Sequence, residues 1–314
     1  MKNRTIYTYL AVLPLLFTGC VSLDEDPASS QVTAKFYQNA NDAKAAVTAA
    51  YAALLSGEDT QPMYNRGIHL MSDEGTDDYV AGPYAKNANV QAISKVAYDA
   101  SNDRIEAVWK DTYSAINYAN ISIDKISALG NVSDELRNQY VNEAKFLRAL
   151  HYFNLVRWFR NVPLILHETT SLSGEKVNVK QATADEVYAQ IIQDLTDAEN
   201  LPVSYSTEDA GRATSGSAKA LLAKVYLTRK EWQKAADKAK EVIDSHQYGL
   251  FENFDDAFDS STKNGKEHIF SIQFNGYPGS YMNLNASSPT ALSYEVPGAA
   301  GYYSDAYNTA SNLY

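Results

Sequence analysis

Between residues 42 and 243, apolar side chains return every three or four positions in one segment after another, and that period commits the chain to helices. Residues 42–55 are Ala-rich, with Val47, Tyr51, Leu54 and Leu55 on one face. Residues 103–129 carry Ile105, Val108, Trp109, Tyr113, Ile116, Ile123 and Ile126 as a single stripe that ends at Gly130. Ser133 is placed to cap the next helix, with Asp134 and Glu135 in a first turn where the helix dipole favours acids. That stripe runs through Leu136, Tyr140, Ala144, Leu147, His151, Leu155 and Phe159, and Pro163 is expected to stop it. Thr183-Ala184-Asp185-Glu186 has the form of a capping box opening a helix through Val187, Ile191 and Leu195. A Gly/Asp-rich loop over 56–89 and short extended pieces after 163 separate these helices. The fold class is therefore mainly all-α, and 314 residues allow one large unit or two small ones at about 150 residues per domain.

The last pair of helices is the most specific. Leu222, Ala223 and Tyr226 on one, with Trp232, Ala235, Ala239 and Val242 on the other, alternate large and small side chains so that two short helices can cross closely. The pair resembles one 34-residue tetratricopeptide repeat. Such hairpins do not bury their apolar faces alone, so several are expected to stack.

The N-terminus has a different character. Lys2 and Arg4 precede an apolar run from Tyr7 to Phe17 that is too short to span a bilayer, which takes about 20 residues. Phe17-Thr18-Gly19-Cys20 follows and contains the only Cys of the chain, so no internal disulfide can form. The segment resembles a bacterial lipoprotein signal, which implies lipidation of Cys20 and a membrane anchor made of acyl chains. An ordinary signal peptide with a chance Cys is the plainer alternative. Asp24-Glu25-Asp26 just beyond is similar to the export signal that sends Bacteroidota lipoproteins to the outer surface; it also suits a solvated tether.

Five stretches, in order, then resemble the SusD/RagB outer-membrane nutrient-binding lipoproteins. They are Cys20 with Leu23-Asp24 and Pro27; Glu143 to Phe153 running on to Asn161-Val162-Pro163-Leu164; Gly211-Arg212-Ala213-Thr214; Ala235 through Val242-Ile243 to Tyr248; and Glu267-His268-Ile269-Phe270-Ser271. The resemblance implies a tetratricopeptide-like helical-hairpin scaffold with a loop-rich ligand-binding face. It implies a SusC-like TonB-dependent outer-membrane barrel as partner, and glycans or other nutrients as cargo, with no chemistry on them. The expected organisation is a signal peptide over 1–19, an acylated tether over 20–41, a helical repeat domain over 42–275, and the start of a loop-rich lobe over 276–314. Family chains continue well past this point, so the chain is read as an incomplete version.

Residues 276–314 contain seven tyrosines, no Lys or Arg, and Tyr, Ser, Gly and Asn at 21 of the 39 positions. Rigid amphipathic rings beside small hydrogen-bonding groups make a recognition surface. Tyr277, Tyr281, Tyr302 and Tyr303 suit the C–H faces and hydroxyls of a saccharide; alternatively they pack against further chain. The loop from Ser72 to Asn87 aligns loosely with the aromatic loop of glycan-binding relatives, where Tyr79, Tyr84 and Asn87 are candidates. Its carboxylates have the ligand type for Ca²⁺ but lack the spacing of a calcium loop, and a solvated loop is the simpler reading. No cofactor and no metal site is otherwise implied.

Lys+Arg 27 against Asp+Glu 38 gives a net charge of −11, a surface that repels phosphate backbones, so nucleic acid is not an expected partner. The sequence holds no nucleophile elbow, phosphate loop, dinucleotide fingerprint or zinc-protease helix. The five His are scattered, and His151 reads as a satisfied core residue. Arg148 and Arg157 read as partners of acidic neighbours, and Trp109, Trp158 and Trp232 as core. Two other functions compete with glycan capture: a membrane-anchored helical-repeat adaptor that binds proteins, and, more distantly, a surface glycoside hydrolase.

Overall fold

A computed structural model describes residues 36–55, 63–77, 80–81, 87–170, 178–257 and 259–273. Every helix and strand among them belongs to the unit that begins at Tyr37. Among the described residues the chain is mostly helical: α1 (Ala40–Ala52), α2 (Ile68–Ser72), α3 (Ala88–Ser94), α4 (Asp103–Ser127), α5 (Asp134–Phe159), α6 (Ala184–Ala198), α7 (Ser215–Thr228) and α8 (Trp232–Asp244). Each long helix packs on the next, α4 on α5, α5 on α6, α6 on α7 and α7 on α8, while α1 closes against α4 and α5. Strand is limited to β1 (Val162–Pro163) and β2 (Gln181–Ala182), which pair antiparallel.

The helix starts follow from local chemistry. The Ser133 hydroxyl accepts from the Leu136 N–H, and Thr183 and Glu186 form a reciprocal capping box. Asn39 with Asp42, and Thr214 with Ser217, do the same for α1 and α7. The helix ends differ from expectation. α5 stops at Phe159 because Arg160 takes a left-handed φ of 63°, three residues before Pro163, which instead enters β1. The stretch expected to be a Gly/Asp loop is partly helical. A π-turn at Met63–Gly67 leads into α2, and Met63, Tyr64 and Leu70 are buried.

α5 is the central element and is buried nearly all round, not along one stripe. Its polar residues are admitted because most are paired. Arg148 grips Asp194 of α6 with two 2.8 Å hydrogen bonds and reaches the Asn120 side chain and the Leu166 carbonyl at 2.9 Å. Asn120 and Tyr152 both donate to the Ile165 carbonyl. The segment after β1 is thereby tied to α4 and α5. Arg157, by contrast, has no carboxylate partner among the described residues. Its guanidinium lies 4.3 Å over the Phe153 ring and donates to the Asn154 side chain and the Phe153 carbonyl.

α7 and α8 form the expected hairpin, with Leu222, Ala235 and Val242 buried. Ala239 is exposed and Trp232 is 60% exposed, so neither belongs to the core. Trp109 and Trp158 do pack against it, Trp109 meeting Phe159 edge-on at 5.0 Å.

Candidate functional site

Glu143 lies on α5, facing the segment that precedes α7, and none of its surface is exposed. A carboxylate so placed needs partners. Arg212 Nη1 donates to it at 2.8 Å, Gln139 Nε2 at 3.0 Å and the Tyr205 hydroxyl at 3.2 Å. Arg212 also binds Asp209 through Nε at 2.9 Å, and Lys44 of α1 meets the same carboxylate at 3.0 Å. The guanidinium sits 5.7 Å from the Tyr51 ring and 5.8 Å from that of Tyr140. Burial pulls the Arg212 pKa down, but Glu143 and Asp209 outweigh it and hold the charge in place. Burial raises the Tyr51 and Tyr205 hydroxyls, and the Glu143 charge raises them further, so both stay protonated as donors.

Gly211 makes this approach possible. Its φ of +90° is in the range that favours glycine, and a Cβ there would lie 2.3 Å from Gln273 Cγ. Next to it the Ala213 N–H donates to the Tyr51 hydroxyl at 2.8 Å, and the Thr214 hydroxyl meets that of Tyr248 at 2.9 Å. Phe270 packs edge-on against Phe146 of α5 at 4.9 Å. Four of the five family-like stretches therefore converge on one seam, contributing Glu143 and Phe146, Arg212 and Thr214, Tyr248, and Phe270.

Two clefts flank the seam and share Ala210, Gly211, Arg212, Phe270 and Ser271. The first, about 260 Å³, lies between α1 and Phe270–Gln273, with Tyr51, Leu54, Leu55 and Ile272 as apolar walls and Asp209 beside Arg212 at its polar end. The second, about 270 Å³, is more polar and is lined by Tyr205, Thr214, Gln247, Tyr248, Lys266 and His268. Both offer apolar surface with hydrogen-bonding groups at the margin, the mixture that small-molecule sites use. Glu143 is engaged by Arg212, and Asp209 by Arg212 and Lys44, so these two carboxylates of the seam are held in ion pairs.

Of the candidates named from sequence, Asn87 alone lies within the described residues. Its side-chain oxygen caps α3, accepting from the N–H groups of Asn89 at 2.9 Å and Val90 at 3.1 Å. Tyr79, Tyr84, Tyr277, Tyr281, Tyr302, Tyr303 and Cys20 lie outside the described residues. Among the described residues no group of three or more His, Cys, Asp or Glu could hold a metal ion. His151 is buried in the core, but neither ring nitrogen has a hydrogen-bond partner, so it is not satisfied. The clefts themselves were not legible. Arg212, Tyr248 and His268 stood inside family-like stretches, which marked them without saying that they face a cavity. Gln247 lay within the stretch that ends at Tyr248 without being singled out, and Tyr205 and Lys266 carried no signal at all.

A SusD-like family profile, described as starch-binding and associating with the outer membrane, matches residues 23–227. SusD-like protein P25 of Formosa agariphila is 28% identical over 284 residues, covering 87% of this chain and 52% of that protein. A solved structure described as a laminarin-binding SusD-like protein is 34% identical with a TM-score of 0.66, over 74% of this chain and 51% of that one. Surface glycan-binding protein A from Bacteroides fluxus is 25% identical with a TM-score of 0.67, over 78% and 52% respectively. The chain spans about half the length of the curated relatives it matches.

Proposed function

The chain belongs to the SusD-like family of starch-binding, outer-membrane-associated proteins, and from that premise we propose that it captures oligosaccharides at the cell surface for a SusC-like TonB-dependent barrel. The observation that carries this reading is the laminarin-binding relative, 34% identical and sharing the helical scaffold. In this reading Cys20 is lipidated and anchors the chain in the outer membrane, facing outward. Residues 1–19 are removed, 20–41 form the tether, 42–275 form the scaffold, and the Tyr-rich residues from 276 onward begin the ligand face. Tyr79, Tyr84, Asn87, Tyr277, Tyr281, Tyr302 and Tyr303 are the proposed ligand contacts. The protein binds and hands over; it does not cut. Stacking on rings at an open face buries less ligand than a closed pocket, so the affinity is modest.

The test is affinity electrophoresis of the full chain in gels containing laminarin or starch. Retardation is expected, and changing Tyr277, Tyr281, Tyr302 and Tyr303 together to Ala should abolish it while the helical circular dichroism stays the same. Equal retardation of the variant would remove the tyrosines from the site. The adaptor reading draws on one observation, the apolar surface of Trp232, Ile243 and Phe254. It is separated by the same gels together with a pull-down: capture of a barrel by a chain with no saccharide affinity would favour the adaptor.

A further inference from the structure

The second cleft is free of carboxylates in a protein where acids outnumber bases. Among the described residues, no Asp or Glu lines it, whereas Lys266, Arg212 and His268 do. The first cleft, on the other side of Arg212, is lined by Glu208 and Asp209. The two cavities are of nearly equal size and share Arg212, but carboxylates line the first and not the second. Two carboxylates bonded to or adjacent in sequence to lining residues, Glu143 and Glu267, are already engaged. Glu143 is held by Arg212, Gln139 and Tyr205, and Glu267 accepts the Phe251 N–H at 2.6 Å.

Of the Lys and Arg residues lining this cleft, Lys266 is the one without a carboxylate partner among the described residues. Arg212 spends its charge on Glu143 and Asp209. The three lysines of α8 each hold a carboxylate: Lys234 with Glu231, Lys238 with Glu199 and Lys240 with Asp244. Lys266 has no carboxylate within ion-pair distance among the described residues, and its backbone is fixed by the Gly249 N–H donating to its carbonyl at 2.9 Å. Beside it the Gln247 side-chain amide has no hydrogen-bond partner among the described residues, its backbone N–H donating to the Ser245 hydroxyl. Asn264, by contrast, is closed off in a reciprocal amide pair with Gln273. The hydroxyls of Tyr205 and Tyr248 are taken by Glu143 and Thr214, which leaves their rings as the apolar surface they present. The volume, about 270 Å³, is at the lower edge of small-molecule pockets and suits a single ring in preference to an extended chain.

We propose that the cleft bounded by Tyr205, Gln247, Tyr248, Lys266 and His268 is a subsite for one sugar ring bearing an anionic group, a uronate carboxylate or a sulfate ester. Lys266 pairs with the anion, Gln247 hydrogen-bonds the ring hydroxyls, and the tyrosines meet its C–H surface. The inference rests on the glycan-binding reading and adds charge selectivity to it. An exposed ion pair contributes up to about 1 kcal/mol, which is about fivefold in affinity.

The experiment titrates the full chain, followed by NMR, with methyl glucuronide, glucose 6-sulfate and methyl glucoside at low salt. Laminarin and starch oligosaccharides serve as neutral controls. At least one charged sugar should bind about fivefold tighter than the glucoside, with the advantage shrinking as salt screens it. Which one does so names the anion. Lys266→Glu should erase the advantage and leave the neutral oligosaccharides within about twofold; Lys266 is exposed, so the fold is expected to survive, and Lys266→Gln serves as the milder variant. Neutral oligosaccharides binding while charged and uncharged single sugars bind alike would overturn this inference alone. Charged-sugar affinity unchanged by Lys266→Glu would do the same. Failure of every saccharide to bind would take the glycan-binding reading with it.

Discussion

His151 stands in the middle of α5 with 1% of its surface exposed and no partner for either ring nitrogen. Burial alone lowers its pKa from 6.5 to about 4. Between those values the unfolded chain binds a proton that the folded chain does not, so stability rises with pH across that window and is flat above it. As pH falls from about 6.5 to about 4, the loss from this one residue should reach on the order of 3 kcal/mol. Thermal melts of the full chain across that range should show the slope, and His151→Leu should flatten the part that His151 causes; an unchanged slope would show that the ring is protonated or solvated in the fold. The spacing of residues along α5 was enough to place His151 in the core. It gave no hint that the imidazole would lack a partner, because partners come from other elements. The same limit explains Arg157, whose neighbours turn out to be aromatic, and Trp232, whose side of the hairpin is exposed.

At the scale of elements, what is encoded locally was legible. Ser133 and the Thr183–Glu186 pair cap the helices they precede, since a cap needs only residues within one turn. What depends on distant packing was not. The helical stretch over 63–72 reads as loop because Gly67 and polar residues dilute its few apolar ones, and it holds its place through buried Met63, Tyr64 and Leu70. The sequence marks a single apolar stripe on α5, from Leu136 to Phe159, that leaves out Glu143, Arg148 and Asn154; each of these is buried as well and bonded to another element. Gly211 is where the seam depends most on one backbone conformation. Gly211→Ala places a Cβ in a left-handed φ and against Gln273, and should destabilise the chain by about 1–3 kcal/mol. Urea melts would measure that loss, and hydrogen exchange should show it first as reduced protection around residues 264–273. Wild-type stability in the variant would mean that Gln273 moves aside without cost and that the seam does not rely on this contact.

Over the whole molecule, the repeat architecture was readable because α-hairpins carry their pattern within about 34 residues. The order of the family-like stretches along the chain was readable for the same reason. The proposed ligand face was not: its candidate tyrosines lie in segments with no periodicity, where a sequence shows composition but no arrangement. Among the described residues no helix is long and apolar enough to cross a membrane. The acidic surface, net charge −11, weighs against polyanions in general. That background makes the carboxylate-free cleft beside Lys266 a local exception, and it sets charge selectivity apart from overall electrostatics. The most direct measurement is isothermal titration of the full chain with laminarin and starch oligosaccharides, alongside an assay for new reducing ends. The account predicts saturable binding to at least one of these glucans with no reducing ends released. Absence of heat with both, or steady release of reducing ends, would contradict it.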